Sequence, residues 1–127
     1  MATITPFSAD AAPPAIGPYS HGVSAQGTFT FLSGQIPLDQ NGAIVGSTVE
    51  DQTKQVFVNI KAVLASQGLS LSNVVKTTVF LTTMADFAAM NNVYAAEFGS
   101  HKPARSTVAV VELPKQVLVE IEVIACS

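Results

Sequence analysis

The sequence predicts an α+β domain in which two helices pack on one face of a mixed sheet, with the element order β-β-α-β-α-β-β. Two segments repeat apolar residues at intervals of three and four, which is typical of helices with one buried face. Five runs of β-branched and aromatic residues end at turn-forming residues, which is typical of strands. Strands and helices alternate along 127 residues without an internal repeat, so we expect one domain over residues 1–127.

Two strands are predicted in the amino-terminal third of the chain. Residues 1–14 are rich in Ala and Pro and predict an irregular lead-in, because proline fixes φ and removes a hydrogen-bond donor. The run Thr28–Ser33 ends at Gly34, and we expect a short strand at Tyr19–Ala25 to pair with it. The next segment, Pro37–Gly46, combines Asp, Asn and Gly and predicts a turn-rich loop of the hairpin type.

The first predicted helix covers Asp51–Gln67. Its start is marked by Thr48 ahead of two acidic residues, and its end is marked by Gly68. The apolar side chains of one stripe are expected to face a core: Val56, Phe57, Ile60, Val63 and Leu64.

The second half of the chain predicts a strand, a helix and two further strands. Val74–Thr82 is the strand, and Thr83 opens a helix that continues to Gly99. The last two strands are Ser106–Leu113 and Val117–Ala125.

Both faces of the last predicted strand carry apolar side chains. Alternation places Glu120 and Ile124 on one face and a row of Val and Ile residues on the other. One face can lie on the helices while the other meets a neighbouring copy, so we expect Glu120 at or near a subunit contact. The composition also favours self-association, because 48% of the residues are hydrophobic and only 12% are charged, against about 25% charged in an average soluble domain.

Several classes of protein are disfavoured by the composition. Cys126 is the only cysteine, and His21 and His101 lie far apart, so no metal-ligand spacing is present and no metal is expected. The net charge of -3 has the wrong sign for binding phosphate backbones. No apolar run reaches the length of a membrane span, and the first residues lack a signal-peptide pattern, so we expect a cytoplasmic protein.

Short motifs across nearly the whole chain, from Ala15 to Ala125, resemble one known family. They are AIGPYS at 15–20, SGQIP at 33–37, VVKTTVFL at 74–81, PARS at 103–106, LPK at 113–115 and VEIEVIA at 119–125. Together they resemble the RidA (reactive intermediate deaminase A) family, formerly labelled YjgF or endoribonuclease L-PSP. The resemblance implies a chorismate-mutase-like fold and a homotrimer with sites between subunits. It also implies hydrolysis of 2-imino acids and their enamine precursors, such as 2-aminoacrylate, to 2-oxo acids and ammonia.

The resemblance also implies the site residues. Arg105 of PARS would bind the substrate carboxylate, and Glu120 of VEIEV would hold the attacking water. The pocket would be lined by Tyr19, Ser33, Gly34, Asn91 and Thr107. Thr107 stands where many members have Cys, and Lys102 stands where many have an aromatic residue, which leaves the preference at the pocket rim open.

These residue types suit the chemistry. An imine is already electrophilic, so its hydrolysis needs a held substrate and an aimed water rather than a cofactor. Arginine grips a carboxylate with a planar fork of donors, and a carboxylate such as Glu120 can take a proton from water and return it to ammonia. Alternation places Arg105 and Thr107 on a common face of their strand.

Ordinary structural interpretations of the same residues stay open at this point. Arg105 is alternatively a surface charge paired with Glu112 or Glu120, and Glu120 a solvated residue. Tyr19 is alternatively a core or interface aromatic, Ser33 a strand-end hydroxyl, Asn91 a helix-surface amide and Gly34 a turn residue. The two histidines are predicted to be ordinary surface residues. Competing functions are a ribonuclease or RNA-binding protein, and a non-catalytic oligomeric binder of small metabolites.

Overall fold

A four-stranded mixed sheet, covered on one face by two helices, forms the body of the computed structural model, which describes residues 3–127. The strands and helices are β1 (Thr3–Phe7), β2 (Gly22–Gln26), β3 (Phe29–Phe31), α1 (Val49–Ala65), β4 (Val74–Leu81), α2 (Phe87–Phe98), β5 (Ala104–Ala109) and β6 (Val119–Cys126). The predicted α+β class is confirmed. The predicted order of elements is confirmed from β2 onward, and β1 is an additional strand.

The strand order of the main sheet is β3-β6-β4-β5, with β5 parallel to β4 and the other pairs antiparallel. Alternation gives this sheet two different faces. Side chains on the helix-covered face are fully or almost fully buried: Val74, Thr77, Val79, Leu81, Val119, Ile121 and Val123. The other face, called the open face below, carries half-buried and exposed side chains: Phe31, Thr78, Phe80, Val108, Glu120, Glu122 and Ile124.

Helix α1 covers Val49–Ala65, so it begins and ends two residues earlier than the predicted Asp51–Gln67. The side chain of Thr48 accepts a hydrogen bond from the Asp51 backbone N–H, which satisfies one of the free donors at the helix start. Gly68 adopts a φ of +71°, a left-handed conformation that glycine tolerates after a helix end. The buried stripe includes Phe57, Ile60 and Leu64, while Val63 of the predicted stripe is exposed.

Helix α2 is reached through a short 3₁₀ turn. The side chain of Thr83 accepts from the Ala85 backbone N–H, so the predicted capping residue begins this turn rather than the α-helix itself. The buried aromatic residues of α2, Tyr94 and Phe98, pack against Phe57 of α1 with edge-to-face geometry. This contact joins the two helices over the sheet.

Two predictions for the amino-terminal third are wrong. Residues 3–7 of the predicted irregular lead-in form β1, and this strand pairs with β2, so β2 does not pair with β3. Pro6 is tolerated because β1 pairs on one side only. The chain leaves β2 at Gly27, whose φ of +147° suits glycine, and Thr28 then exchanges hydrogen bonds with Ser127, which directs β3 onto β6. Residues 1 and 2 of the predicted lead-in lie outside the described residues.

The last two strands are shorter than the sequence predicts. Strand β5 ends at Ala109, which pairs with Leu81, the last residue of its partner β4. A turn in which Lys115 and Gln116 both have positive φ then precedes β6. The loop of the hairpin type is confirmed at residues 37–46, where Asp39 Oδ1 accepts from the backbone N–H groups of Asn41 and Ala43.

Candidate functional site

Arg105 lies on the edge strand of the sheet and points toward the helices. Strand pairing places it beside Thr77, whose side chain contacts Tyr94 of α2, so both side chains are on the helix-covered face. Arg105 Nη1 donates a hydrogen bond of 2.6 Å to Oδ1 of Asn91. Asn91 is therefore a ligand of the guanidinium and not a free helix-surface amide.

Three aromatic rings surround this guanidinium. Its Cζ atom lies 4.6 Å from the ring centroid of Tyr94 and 5.6 Å from those of Tyr19 and Phe87, which are distances typical of cation–π contacts. Burial lowers the pKa of Arg105, but an arginine side chain keeps its charge at physiological pH. The alternative that Arg105 pairs with Glu112 or Glu120 is wrong, since the one ion pair within residues 3–127 is Lys61–Glu97.

A cavity of about 220 Å³ opens beside the guanidinium. It is lined by Ile16, Tyr19, Phe87, Arg105 and Thr107. The Thr107 hydroxyl is buried without a hydrogen-bond partner among the described residues, which is uncommon for a buried polar atom. A small, mostly apolar cavity that contains one cation suits a small organic anion.

The segment before β2 forms one wall of this cavity. The backbone N–H of Ser20 donates to the Pro103 carbonyl and its hydroxyl donates to the Lys102 carbonyl, which holds this segment against the start of β5. The Tyr19 hydroxyl accepts from the Ile16 backbone N–H. The GPYS motif, which starts at residue 17, and the PARS motif, which starts at residue 103, are thus brought together although they are distant in sequence.

Glu120 belongs to a second group of residues on the open face. Its carboxylate lies so close to Gly34 that a Cβ atom there would overlap Oε2. The φ of Gly34 is not in the left-handed region, so the interpretation of Gly34 as a turn glycine is wrong, and space for Glu120 is what requires glycine. Burial, and then the charge of Glu122, raise the pKa of Glu120. Ser33 lies beside Gly34 and is exposed.

The structure does not bring Arg105 and Glu120 together within one chain. Arg105 pairs with Thr77 on β4, whereas Glu120 pairs with Phe80, three residues further along the same strand. Because successive side chains alternate between faces, Arg105 lies on the helix-covered face and Glu120 on the open face. The predicted site residues form two groups, one with Tyr19, Asn91, Arg105 and Thr107, and one with Ser33, Gly34 and Glu120.

Sequence reasoning missed several members of the Arg105 group. Phe87 and Tyr94 are ordinary apolar positions of the predicted second helix, and Ile16 and Gly17 lie within the AIGPYS motif, so none of them stands out as a site residue. Both histidines are half-buried and hydrogen-bond to the main chain: His21 bonds to Ala9 and Pro13, and His101 Nε2 bonds to the Val74 carbonyl. Within residues 3–127 no cluster of His, Cys, Asp and Glu could hold a metal ion.

The mixed sheet with two helices on one face is the chorismate-mutase-like fold. Over residues 9–127 the sequence matches the family described as Endoribonuclease L-PSP. The chain belongs to this family, which is also called the YjgF or RidA family.

Similar proteins come from archaea, yeast and bacteria. A RutC family protein of Pyrococcus horikoshii is 56% identical over 115 residues, which cover 90% of each chain. Protein MMF1, mitochondrial, of Saccharomyces cerevisiae is 46% identical over 125 residues, which cover 98% of this chain and 86% of the relative. The crystal structure of E. coli TdcF with bound serine is 46% identical, with a TM-score of 0.75, and the match covers 91% of this chain and 93% of TdcF. Between residues 3 and 127, no helix combines the length and the apolar character needed to cross a membrane.

Proposed function

We propose that this protein hydrolyses 2-imino acids and their enamine precursors, such as 2-aminoacrylate, to 2-oxo acids and ammonia. The observation that carries the proposal is the Arg105 guanidinium, which faces a small cavity and has an amide but no carboxylate as its hydrogen-bond partner in the described chain. A charged donor in apolar surroundings favours an anionic ligand, and a carboxylate matches its planar fork. The bound serine of TdcF, a small amino acid, supports a ligand of this size.

The proposed reaction needs no cofactor. Arg105 binds the carboxylate, and a water oxygen attacks the imine carbon while Glu120 takes one proton from that water. Glu120 passes this proton to the imine nitrogen, which gives a tetrahedral intermediate with one hydroxyl and one amino group. The hydroxyl proton then moves through Glu120 to the same nitrogen while the C=O bond forms and the C–N bond breaks. Both protons of the water thus end on ammonia, and the 2-oxo acid leaves with it. The raised pKa of Glu120 suits this role, because a general acid and base works best when its pKa is closer to the working pH.

We further propose that each site lies between two copies in a homotrimer, with Arg105 from one copy and Glu120 from the next. This follows from the position of the two groups on opposite faces of the sheet. The open face also carries apolar side chains that a neighbouring copy would bury: Phe29 is 44% exposed, Phe31 72% and Val108 43%. Thr107 and Tyr19 belong to the Arg105 half of this site, and Ser33 and Gly34 to the Glu120 half.

Mixing two impaired variants, assayed at a substrate concentration where each alone turns over slowly, tests the reaction and the shared site together. Arg105→Ala and Glu120→Gln are refolded together in equal amounts, and imino acids are generated in situ with an amino-acid oxidase while 2-oxo acid release is followed. If each site combines the two residues from different copies, about a quarter of the sites in a random mixture contain both native residues, and activity returns. No recovery in mixed oligomers refutes the shared site. Absence of wild-type turnover refutes the enzyme and leaves a non-catalytic binder of small metabolites.

The ribonuclease alternative has the family description in its favour. The arrangement of the histidines speaks against it, since both ring nitrogens of His21 are bonded to the main chain and His101 is bonded to Val74. The net charge of -3 also disfavours RNA. Cleavage of single-stranded RNA that persists in Arg105→Ala would favour this alternative.

A cytoplasmic location belongs to the proposal as well, although the yeast relative MMF1 is described as mitochondrial.

A further inference from the structure

One side chain of α2 contacts both Arg105 and its neighbour on the adjacent strand. The Tyr94 ring centroid lies 4.6 Å from Cζ of Arg105, and the Tyr94 hydroxyl lies 2.7 Å from Oγ1 of Thr77. The same ring packs against Phe57 and Phe98 in the core. Tyr94 therefore connects the hydrophobic core to the cation on which the proposed function depends.

Tyr94 differs from the other two rings around the guanidinium. It is the closest of the three and is fully buried, whereas Tyr19 and Phe87 are half-buried. Thr77 is buried in a central strand, and its β-branched side chain has few allowed rotamers, so it is a rigid anchor for the hydroxyl. Burial raises the pKa of Tyr94 to about 12, so this hydroxyl keeps its proton at physiological pH.

The free edge of the guanidinium is defined by the contacts around it. Asn91 lies three residues before Tyr94, on the same side of α2, and it accepts the hydrogen bond from Nη1. Nη2 lies on the side of Gly17, where a Cβ atom would be only 3.4 Å away. Asn91 binds one edge of the Arg105 guanidinium and Tyr94 covers one of its faces. The N–H groups of Nη2, near Gly17, are therefore the donors that remain for a ligand.

We propose that Tyr94 is a positioning residue for Arg105, and that its hydrogen bond to Thr77 sets the orientation in which Arg105 presents Nη2 to the substrate carboxylate. This inference rests on the proposed function, because it assumes that Arg105 binds that carboxylate. Tyr94 is not among the residues that line the cavity beside Arg105, so its replacement is expected to change affinity and not the chemical step.

Variants that remove one hydroxyl at a time test this inference. Tyr94→Phe keeps the ring, and Thr77→Val keeps the shape of the threonine. Titration of the purified oligomer with 2-oxobutanoate is expected to show roughly three- to tenfold weaker binding in each, the range of one neutral hydrogen bond. KM for imino acids should rise by the same factor while kcat stays unchanged. Thr77→Ser keeps the hydroxyl but lacks the β-branch that limits its rotamers, so it should restore most of the wild-type affinity.

The double variant and a stability control separate positioning from folding. Tyr94→Phe combined with Thr77→Val should bind no more weakly than either single variant, because both changes remove the same bond. Ile60→Val trims a buried methyl group in α1 and should lower Tm without changing the affinity. An additive loss in the double variant, unchanged affinity in Thr77→Val, or weaker binding in Ile60→Val would overturn the positioning role.

Titration of Arg105→Ala with 2-oxobutanoate distinguishes failure of the positioning role from failure of the proposed function. If Arg105→Ala loses affinity while Tyr94→Phe and Thr77→Val keep it, the carboxylate site stands and the positioning role is refuted. If Arg105→Ala binds 2-oxobutanoate as tightly as the wild type, the proposed function and this inference are both refuted.

Discussion

Replacement of Arg105 by alanine is the most direct perturbation of the proposed site. Nη1 is already bonded to Asn91, so we count a single charged hydrogen bond to the ligand as the minimum contribution. A hydrogen bond to a charged group contributes about 1.5 to 3 kcal/mol, which corresponds to a loss of roughly ten- to 150-fold in affinity. Arg105→Lys should recover only part of this loss, because an ammonium lacks the planar fork and its stacking on the rings.

The assay is calorimetric titration with 2-oxobutanoate, together with turnover of imino acids generated in situ. Lys54→Ala is the matched control, since it removes one exposed positive charge from α1 and should leave affinity unchanged. Folding and assembly are checked by thermal melting and light scattering. If Arg105→Ala remains a folded oligomer and hydrolyses imino acids at the wild-type rate, the carboxylate-binding role is wrong.

Three further predictions concern Glu120 and its neighbour. Glu120→Gln should slow turnover by roughly 10² to 10⁴-fold while its affinity for 2-oxobutanoate stays near normal. Full activity of this variant would show that Glu120 has a structural role and takes no part in the reaction. The pKa of Glu120 is raised in the folded protein, so ionisation of this carboxyl opposes folding. Glu120→Gln should therefore melt at a higher temperature than the wild type at pH 7. At a pH below the usual carboxyl pKa, where Glu120 is protonated in both states, the two proteins should melt at the same temperature. Equal melting temperatures at pH 7 would contradict this. Gly34→Ala should displace the carboxylate and reduce turnover while affinity persists, whereas normal turnover would show that Glu120 can move aside.

Local patterns were enough to predict the helices and most strands. Helix α1 depends on short-range contacts, namely the hydrogen bond of Thr48 at its start and the left-handed Gly68 after its end, and both follow from residue type and spacing. Strand β4 is equally clear, because its residues alternate almost regularly between buried and half-buried. In these elements the local preference and the final packing agree.

Long-range pairing could not be predicted in the same way. The segment Thr3–Phe7 contains a proline and becomes a strand only because β2 offers it a free edge. Strands β5 and β6 follow each other in sequence, yet β4 lies between them. The pairing of β5 and β6 with β4 decides which of their side chains share a face of the sheet. The sequence could therefore suggest Arg105 and Glu120 as site residues, but it could not place them on opposite faces.

Gly34 shows how the site constrains a position that looks like an ordinary turn. Neither Gly34 nor Gly17 has a positive φ, so their backbone conformations do not require glycine. A Cβ atom at residue 17 would be 3.4 Å from Arg105 Nη2, an ordinary van der Waals distance, whereas one at residue 34 would overlap the carboxylate of Glu120. In the Glu120 half of the proposed site, glycine therefore leaves the space that the carboxylate occupies. The requirement for glycine in the SGQIP motif comes from Glu120, which is distant in sequence, so local turn preferences alone could not explain it.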